Sequence, residues 1–313
     1  MIDDVSLQIL SSLHWPGTGE TSFSSRPTLR KISGKLQIHH SSVKSRYDEM
    51  TSTSFLRDIV FHIRNEATPW NRWISELKAD PGMIWSIRAN LQDLHFIEST
   101  HLLSQDPLIP GFLGGHPQES EHSVRAIFEI VGRNTRQLID SVSRLKELLG
   151  APLDSCRFKQ NTFPKDRGDT YSDILKILSK SNPINMKVTR LCDSTGHSFR
   201  NVARILDSLV RERQISTRPY YSTSNIPNGL VLTLNLNGIE SYRLRSLRKE
   251  GALNGHLFSE FILGLNRIFL IYCRNLNELF EVRQLLESEK LATRAYLNYT
   301  SIRNHSVYYP HGS

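Results

Sequence analysis

An early segment of the chain carries hydrophobic side chains at helical spacing. Ile32 and Leu36 are four residues apart, and Val43, Tyr47 and Met50 follow at i, i+4 and i+7. Side chains spaced in this way lie on one face of a helix and can be buried together. The pattern therefore predicts two short helices joined by a tight turn, which is the arrangement of a helix-turn-helix.

The opposite face of the second of these helices is polar and partly basic. Short hydroxyl side chains and a lysine can form hydrogen bonds with phosphate oxygens and with base edges in a major groove about 12 Å wide. An amphipathic helix pair inside any globular core would show the same spacing, so the pattern alone leaves both interpretations open. The candidate DNA contacts in this copy are Ser41, Ser42, Lys44, Ser45 and Arg46.

The periodicity changes after this helix pair. A stretch at 55–63 is rich in β-branched and aromatic residues and predicts wing strands, and a connector with a short helix at 70–77 follows. The next elements predict the order βαββαβ of a ferredoxin-like sandwich. They are strands at 83–91, 108–113, 124–131 and 155–160, and helices at 93–104 and 135–149.

The second half of the chain repeats this order. In the segment VTRLCDSTGHSFRNVARILDSL, Val202 corresponds to Val43 and the helix-turn-helix pattern recurs, and residues 268–275 match residues 127–134. The sequence therefore predicts an α+β chain in which two winged helix-turn-helix domains alternate with two ferredoxin-like (βαββαβ) domains. The expected boundaries are 1–64 for the first winged helix-turn-helix, 65–81 for a connector, 82–162 for the first ferredoxin-like domain, 163–228 for the second winged helix-turn-helix and 229–313 for the second ferredoxin-like domain.

The second predicted recognition helix is more basic than the first. Ser198 stands at its N-cap position, and Arg200, Asn201 and Arg204 follow on its exposed face. An arginine near the start of such a helix can hold guanine through two hydrogen bonds, and an asparagine can do the same for adenine. A solvated polar face is the alternative interpretation. Further candidate phosphate contacts are Arg26, Arg30, Lys31 and Lys35 in the first copy, and Arg211, Arg213 and Arg218 in the second.

The first helix-turn-helix segment resembles the DNA-binding segment of the Lrp/AsnC (feast-famine) regulators, whose pattern is roughly L-G-L-S-x-S-T-V-x-x-R-I-x-x-L. Gln37, His39 and Ser54 depart from it where the family has glycine or serine. In an internally duplicated form the resemblance covers nearly the whole chain. It implies a sequence-specific, DNA-binding transcriptional regulator whose ferredoxin-like domains dimerise and sense an effector. The matching positions are Leu36, Ile38, Ser41, Ser42, Val43, Arg46, Tyr47 and Met50.

In that family the effector-binding loop follows the third strand of the ferredoxin-like domain. The corresponding turns here contain Arg133 and Asn134 in the first copy, and Arg274 and Asn275 in the second. Free backbone N–H groups and an arginine could hold a carboxylate or phosphate group of a small-molecule effector. The alternative is that each asparagine simply caps the helix that follows it.

The composition of the chain favours a polyanionic partner. The formal net charge is +8 and the pI is about 9.4, which promotes attraction to a nucleic acid. The three cysteines show no zinc-binding spacing, the N-terminal stretch is acidic where a signal peptide would be basic, and no apolar run is long enough to span a membrane. We therefore expect a cytoplasmic, nucleoid-associated protein with no cofactor and no metal site.

Three functions remain open from the sequence. The main interpretation is a regulator that binds double-stranded DNA, forms an intramolecular pseudo-dimer and is not an enzyme. The first alternative is an enzyme, because Lrp-like chains also occur as siroheme decarboxylases, although no nucleophile motif, phosphate loop or paired-carboxylate signature supports it. The second alternative is a protein-interaction module on the same fold. The residues to inspect for the enzyme are His95, His101, His116 and His122.

Overall fold

The computed structural model describes residues 2–17, 19–63, 71–79, 94–104, 124–150, 155–158, 169–223, 226, 229–253, 256–263, 266–291 and 295–304. Its α-helices are α1 (Asp4–Ser12), α2 (Leu29–Leu36), α3 (His40–Ser52), α4 (Thr135–Leu149), α5 (Asp169–Ser179), α6 (Val188–Thr195), α7 (Phe199–Arg211), α8 (Gly238–Lys249) and α9 (Leu276–Ser288). Its strands are β1 (Leu56–Ile63), β2 (Asn71–Ala79), β3 (Ile97–Ser104), β4 (Val124–Gly132), β5 (Ser155–Phe158), β6 (Ile215–Tyr221), β7 (Leu230–Leu236), β8 (Leu257–Leu263), β9 (Asn266–Cys273), β10 (Ala295–Tyr296) and β11 (Asn298–Arg303).

Both predicted helix-turn-helix units are present. The first consists of α2 and α3, and the second consists of α6 and α7. Gln37 ends α2 and Gly196 ends α6, both in the left-handed conformation, so Gln37 adopts at some steric cost the backbone that glycine adopts freely. The buried positions are those that the spacing predicted, namely Ile32, Val43, Tyr47 and Met50 in the first unit and Leu191, Val202, Leu206 and Leu209 in the second.

The strand after each helix-turn-helix pairs with its counterpart in the other half of the chain. β1 and β6 run antiparallel, with Leu56 opposite Tyr221 and Ile63 opposite Ile215. The sequence predicted wing strands within each half, whereas each half supplies one strand of a shared two-stranded sheet. Leu56 packs in the core of the first helix-turn-helix and Ile63 in that of the second. A single strand therefore stabilises both units.

Both larger sheets have the ferredoxin-like strand order. The second half forms the order β10-β7-β9-β8, in which the fourth, first, third and second strands are neighbours. The first half shows the same order, β5-β2-β4-β3, and β11 adds a fifth strand beside β3, with Tyr299 opposite Leu103. The predicted α+β class, with two winged helix-turn-helix units and two ferredoxin-like units, is confirmed.

Strand β2 occupies a stretch for which we predicted a short helix, at 70–77, and that prediction is wrong. Trp73, Ser75 and Leu77 are buried at every second position, which is the period of a strand. The buried serine between two apolar residues weakens this signal in the sequence. β2 pairs with both β4 and β5 and so lies inside the first sheet.

Strand β3 replaces most of the helix that we predicted at 93–104. Ser99, His101 and Leu103 lie on one face, and a bulge between Ile97 and Ser99 turns Ile97 to the other face, where it packs with Ile130; all four side chains are buried. Two of these four side chains are polar, so the alternation of apolar and polar residues that marks a half-buried strand is absent. The predicted helix at 135–149 and the strands at 124–131 and 155–160 are confirmed as α4, β4 and β5, and the predicted strands at 83–91 and 108–113 lie outside the described residues.

Each helix-turn-helix is held in part by residues from the other half of the chain. In the first half, Ser11 of α1 donates a hydrogen bond to the carbonyl oxygen of Phe258 in β8, at 3.3 Å. The core of the second helix-turn-helix includes Trp15, Phe23 and Phe61 from the first half. Neither half therefore forms a self-contained unit. Within the described residues, no helix is both long enough and apolar enough to cross a membrane.

We predict that Gly229→Ala destabilises the protein by about 1–3 kcal/mol, because added volume strains a packed core. A Cβ atom at this position would lie 2.3 Å from Cε2 of Tyr272, whose side chain is buried and has little room to move. Gly34→Ala in α2 is the control, because its Cβ would meet nothing within 4 Å and alanine favours the helix by roughly 1 kcal/mol. Urea denaturation of both variants measures the difference, and equal midpoints would contradict the prediction.

Candidate nucleic-acid interface and a buried charged centre

The first recognition helix, α3, presents cations that are already paired. Arg46 donates to Asp3 through Nε at 2.9 Å and through Nη2 at 2.7 Å. Lys44 forms an ion pair with Asp48, with 2.5 Å between Nζ and Oδ2. Ser41, Lys44 and Ser45 are exposed, whereas Ser42 and Arg46 are half-buried. Arg46 would have to break its ion pair with Asp3 before its guanidinium could contact a DNA phosphate.

The Arg46–Asp3 pair also fixes the start of α1. The Asp3 carboxylate caps that helix by accepting a hydrogen bond from the backbone N–H of Ser6 at 2.7 Å. Burial acts to raise the pKa of Asp3, but the hydrogen bonds from Arg46 and Ser6 outweigh it and lower the pKa to about 2. Arg46 thus joins α3 to α1, a structural role that accounts for an arginine at this position.

The second recognition helix, α7, presents cations without an acidic partner. Ser198 caps the helix, since its side chain accepts a hydrogen bond from the backbone N–H of Asn201. Arg200, Arg204 and Arg211 are exposed, and in the part of the chain that the structure describes none of them forms an ion pair. Arg204 donates to the side-chain oxygen of Asn201 at 3.0 Å, which holds its guanidinium along the helix.

A groove of about 630 Å³ runs along this face of α7. The segment just before the short 3₁₀ turn at Phe23 forms its other wall, and Asp207 fastens that segment by accepting hydrogen bonds from the Ser22 hydroxyl at 3.1 Å and the Phe23 N–H at 2.8 Å. The first half of the chain thus helps to build the exposed surface of the second recognition helix. The lining residues are Thr21, Ser22, Phe199, Arg200, Ala203, Arg204, Asp207 and Arg211.

A second basic groove, of about 640 Å³, lies between α5 and α6. Among the described residues that line it, four side chains are cationic and none is acidic, so it suits an anionic ligand such as phosphate. This groove was not predicted from the sequence, although Lys176 and Lys180 stand one helical turn apart. The cationic lining residues are Lys176, Lys180, Lys187 and Arg190.

The two predicted effector turns lie at the surface, and their asparagines cap helices. Asn134 accepts a hydrogen bond from the Gln137 N–H at 2.9 Å, and Asn275 accepts one from the Glu278 N–H at 3.0 Å. Arg274 pairs with Asp4 at 2.9 Å, and the Arg133 N–H donates to the side chain of Gln137 at 2.8 Å. The capping alternative describes these asparagines, and an effector role for the turns stays a prediction.

A charged centre is buried where the halves meet. Arg218 of β6 and Glu129 of β4 are 4% and 2% exposed, and their Nη1 and Oε2 atoms are 2.5 Å apart. Ser99 donates to the same carboxylate oxygen. The ring of His101 lies between them and β11, with Nε2 2.9 Å from the Ser99 hydroxyl and Nδ1 2.8 Å from the Tyr299 hydroxyl. We call Ser99, His101, Glu129, Arg218 and Tyr299 the buried centre.

The charges of the buried centre follow from burial and from the ion pair. Burial opposes ionisation of Glu129, but the charge of Arg218 and the hydrogen bond with His101 hold the Glu129 pKa well below its usual range. Burial lowers the pKa of His101 and raises that of Tyr299. At neutral pH the centre therefore contains one carboxylate and one guanidinium, and its other members, Ser99, His101 and Tyr299, are neutral.

The buried centre contains two residues that the sequence analysis singled out. Arg218 was predicted to contact phosphate, and His101 was named for the enzyme alternative. Arg218 is not a surface phosphate contact, because β6 packs against the first sheet and encloses it. His101 belongs to the centre, whereas His95 is exposed, and His116 and His122 lie outside the described residues. A sequence signal existed, since Glu129 stands alone within the apolar run AIFEIV. A charge in such a strand requires a partner.

Comparisons with known proteins give a structural match only. No protein-family model matches the chain, and no curated protein sequence matches it. Among the matching solved structures is the siroheme decarboxylase NirDL, with a TM-score of 0.46 and 10% identity over 95% of this chain and 91% of that chain. The same enzyme in co-complex with an iron-uroporphyrin III analogue matches with a TM-score of 0.45 at the same identity and coverage.

These matches overturn one expectation from the sequence. The chain was expected not to be an enzyme, and this is contradicted because both matching chains are those of a decarboxylase. At this level of similarity neither residues nor a reaction transfer to the present chain. The architecture itself is a doubled arrangement of helix-turn-helix and ferredoxin-like units, as the resemblance in the helix-turn-helix segments implied.

Proposed function

We propose that this protein binds double-stranded DNA as a transcriptional regulator and that α7 is its main reading helix. The observation that carries the proposal is the contrast between the two recognition helices. Arg200 and Arg204 are exposed and free of ion pairs within the described residues, whereas Lys44 and Arg46 are paired with carboxylates. A free arginine can turn all its donors toward a base edge, while a paired one must first lose its partner.

The surroundings of α7 support contact with a charged backbone. The groove between α5 and α6 adds four cations to the same helix-turn-helix, in keeping with the net charge of +8. Contacts of this kind position a protein on a duplex without specifying sequence. In this proposal the arginines of α7 read bases and the lysine-rich groove holds phosphates.

The shared sheet supports an intramolecular pseudo-dimer. Antiparallel pairing of the equivalent strands β1 and β6 is what a two-fold axis between the helix-turn-helix units would produce. Because α3 and α7 carry different side chains, the two half-sites would differ and the operator would not be palindromic. A small-molecule effector remains part of the proposal, at the turns that contain Arg133 and Arg274.

The test is selection of duplexes from a random pool, followed by binding of three variants to the selected sequence. Arg200→Ala should weaken binding by about 5- to 150-fold and relax the preference at one base, as expected for a lost bidentate contact. Lys44→Ala should change the preferred sequence less. Arg243→Ala, on α8 of the ferredoxin-like unit, removes the same charge away from α7 and is the control for non-specific attraction.

The salt dependence of binding measures how much the contacts with phosphate contribute. The logarithm of the binding constant should fall linearly with the logarithm of the salt concentration, with a slope set by the number of phosphates neutralised. If no duplex is retained even at low salt, the proposed function is wrong. A stronger effect of Lys44→Ala than of Arg200→Ala on the preferred sequence would reverse the assignment of the reading helix.

A second candidate function is tetrapyrrole chemistry of the siroheme decarboxylase type. The observation that favours it is the position of His101 beside a carboxylate, a guanidinium and the Tyr299 hydroxyl. Because His101 is fully buried, a tetrapyrrole could reach it only if the packing of β6 on the first sheet opened. The test is titration with an iron porphyrin, followed through the visible absorption band. His101→Ala should abolish a spectral change that His95→Ala, at an exposed position, leaves intact. If the wild-type protein produces no spectral change, the tetrapyrrole function is ruled out.

A further inference from the structure

We infer that Phe199 reads thymine, by packing its ring against the C5-methyl group of that base. The inference rests on the proposed binding of duplex DNA through α7. It adds a specificity-determining residue of an apolar kind to the polar contacts considered so far.

Phe199 is an exposed aromatic residue at the first position of the recognition helix. Its side chain is 60% exposed, while the apolar residues Val202, Leu206 and Leu209 of the same helix are fully buried. The N-terminal residues of a recognition helix are those that approach base edges when the helix lies in the major groove. An exposed phenylalanine at this position is therefore placed for contact with a base.

The surroundings of Phe199 restrict what it can contact. It lines the groove on α7 together with Arg200 and Arg204, so a duplex that meets these arginines also meets the ring. A phenylalanine side chain offers no hydrogen-bond donor or acceptor. In the major groove the apolar group that distinguishes one base from the others is the C5-methyl of thymine. The chemistry thus assigns a thymine next to the base that Arg200 reads.

The first recognition helix lacks this feature. His40 is the first residue of α3, as Phe199 is the first residue of α7, and both helices contain 13 residues. A histidine side chain carries polar nitrogens and does not favour a methyl group in the same way. A thymine requirement is therefore expected in one half-site and not in the other.

The experiment replaces each thymine of a selected duplex, one at a time, by deoxyuridine, which lacks only the methyl group. One replacement should weaken binding by wild-type protein about four-fold, the ratio expected for one buried methyl group. Phe199→Ala should bind the thymine and deoxyuridine duplexes equally. His40→Ala is the matched control and should keep the four-fold ratio, and circular dichroism checks that all three proteins are folded.

The outcomes separate this inference from the proposal on which it rests. If wild-type protein binds the duplex but tolerates deoxyuridine at every position, Phe199 does not read thymine, while DNA binding by α7 stands. If Phe199→Ala keeps the four-fold ratio, another residue contacts the methyl group and the inference is overturned. If no duplex is bound at all, the proposed function fails and the inference fails with it.

Discussion

Replacing Arg218 by alanine is expected to lower the free energy of unfolding by about 3–5 kcal/mol, the usual cost of leaving one member of a buried ion pair without its partner. Glu129 would be left in a site that is 2% exposed, where it must either stay charged without the guanidinium or take up a proton. Among the described residues its remaining hydrogen-bond partners are the Ser99 hydroxyl and the His101 ring. Water could reach the carboxylate only if the packing of β6 on the first sheet opened.

The same physics predicts that removing both charges is milder than removing one. In the double variant Arg218→Met with Glu129→Leu, no unpaired charge remains, and apolar replacement of a buried pair is often close to neutral. Arg46→Ala is the control, because the Arg46–Asp3 pair is 32% and 40% exposed and such pairs contribute about 0–1 kcal/mol. Urea denaturation followed by circular dichroism measures all three. A double variant less stable than Arg218→Ala would show that the centre stabilises by more than charge pairing.

The second large effect is the contribution that ionised Glu129 makes to the pH dependence of the free energy of unfolding. This contribution is expected to be absent in Glu129→Gln. The folded-state pKa of Glu129 lies well below its ordinary value of 4.5, so its contribution is fully present above that value. It is lost as the pH falls from 4.5 through the folded-state pKa, by up to about 1.4 kcal/mol per pH unit. The gap in stability between wild type and Glu129→Gln should therefore be widest near neutral pH and narrow in acid.

His101 changes stability in the same direction but is present in both proteins. Burial lowers the pKa of His101, so in mild acid His101 is protonated in the unfolded chain but not in the folded protein. Stability therefore falls with decreasing pH. Because Glu129 itself acts to raise the His101 pKa, this contribution does not cancel, and the gap is measured between His101→Gln and the double variant His101→Gln with Glu129→Gln, which lack the imidazole. Denaturation at pH 7, 5 and 3 measures the gap, and a gap that widens toward pH 3 would contradict a lowered pKa for Glu129.

Sequence periodicity was sufficient to locate the helices that bury apolar side chains at regular intervals. Val43 and Val202, with their neighbours one and two turns away, located both recognition helices, and α4 followed the same rule. The strands β2 and β3 were missed because Ser75, Ser99 and His101 face inward. Their burial is possible only because partners such as Glu129 come from other strands, which periodicity along one segment cannot reveal.

The exposure of the candidate site residues could be predicted where it depends only on their position along a helix. Arg200 and Arg204 were placed correctly on the exposed face of α7 by the repeat alone. Arg46 was a matching position of the family pattern, but its partner Asp3 lies 43 residues away, so the ion pair could not be foreseen. Arg218 was misassigned for the same reason, because its burial depends on the first sheet.

The position of β11 has a consequence for how the chain is made. Residues 298–303 add the last strand to the first sheet, beside β3, which begins at residue 97, and Tyr299 of β11 is a member of the buried centre. During synthesis, the ribosome must add about 200 residues between these strands, which takes roughly 10–40 s at the usual elongation rate. The four ferredoxin-like strands of the first unit can pair before β11 is made, but β3 presents an unpaired edge until β11 arrives. An exposed strand edge of this kind can pair with another chain, so the interval before β11 is made is when this protein is most prone to aggregate.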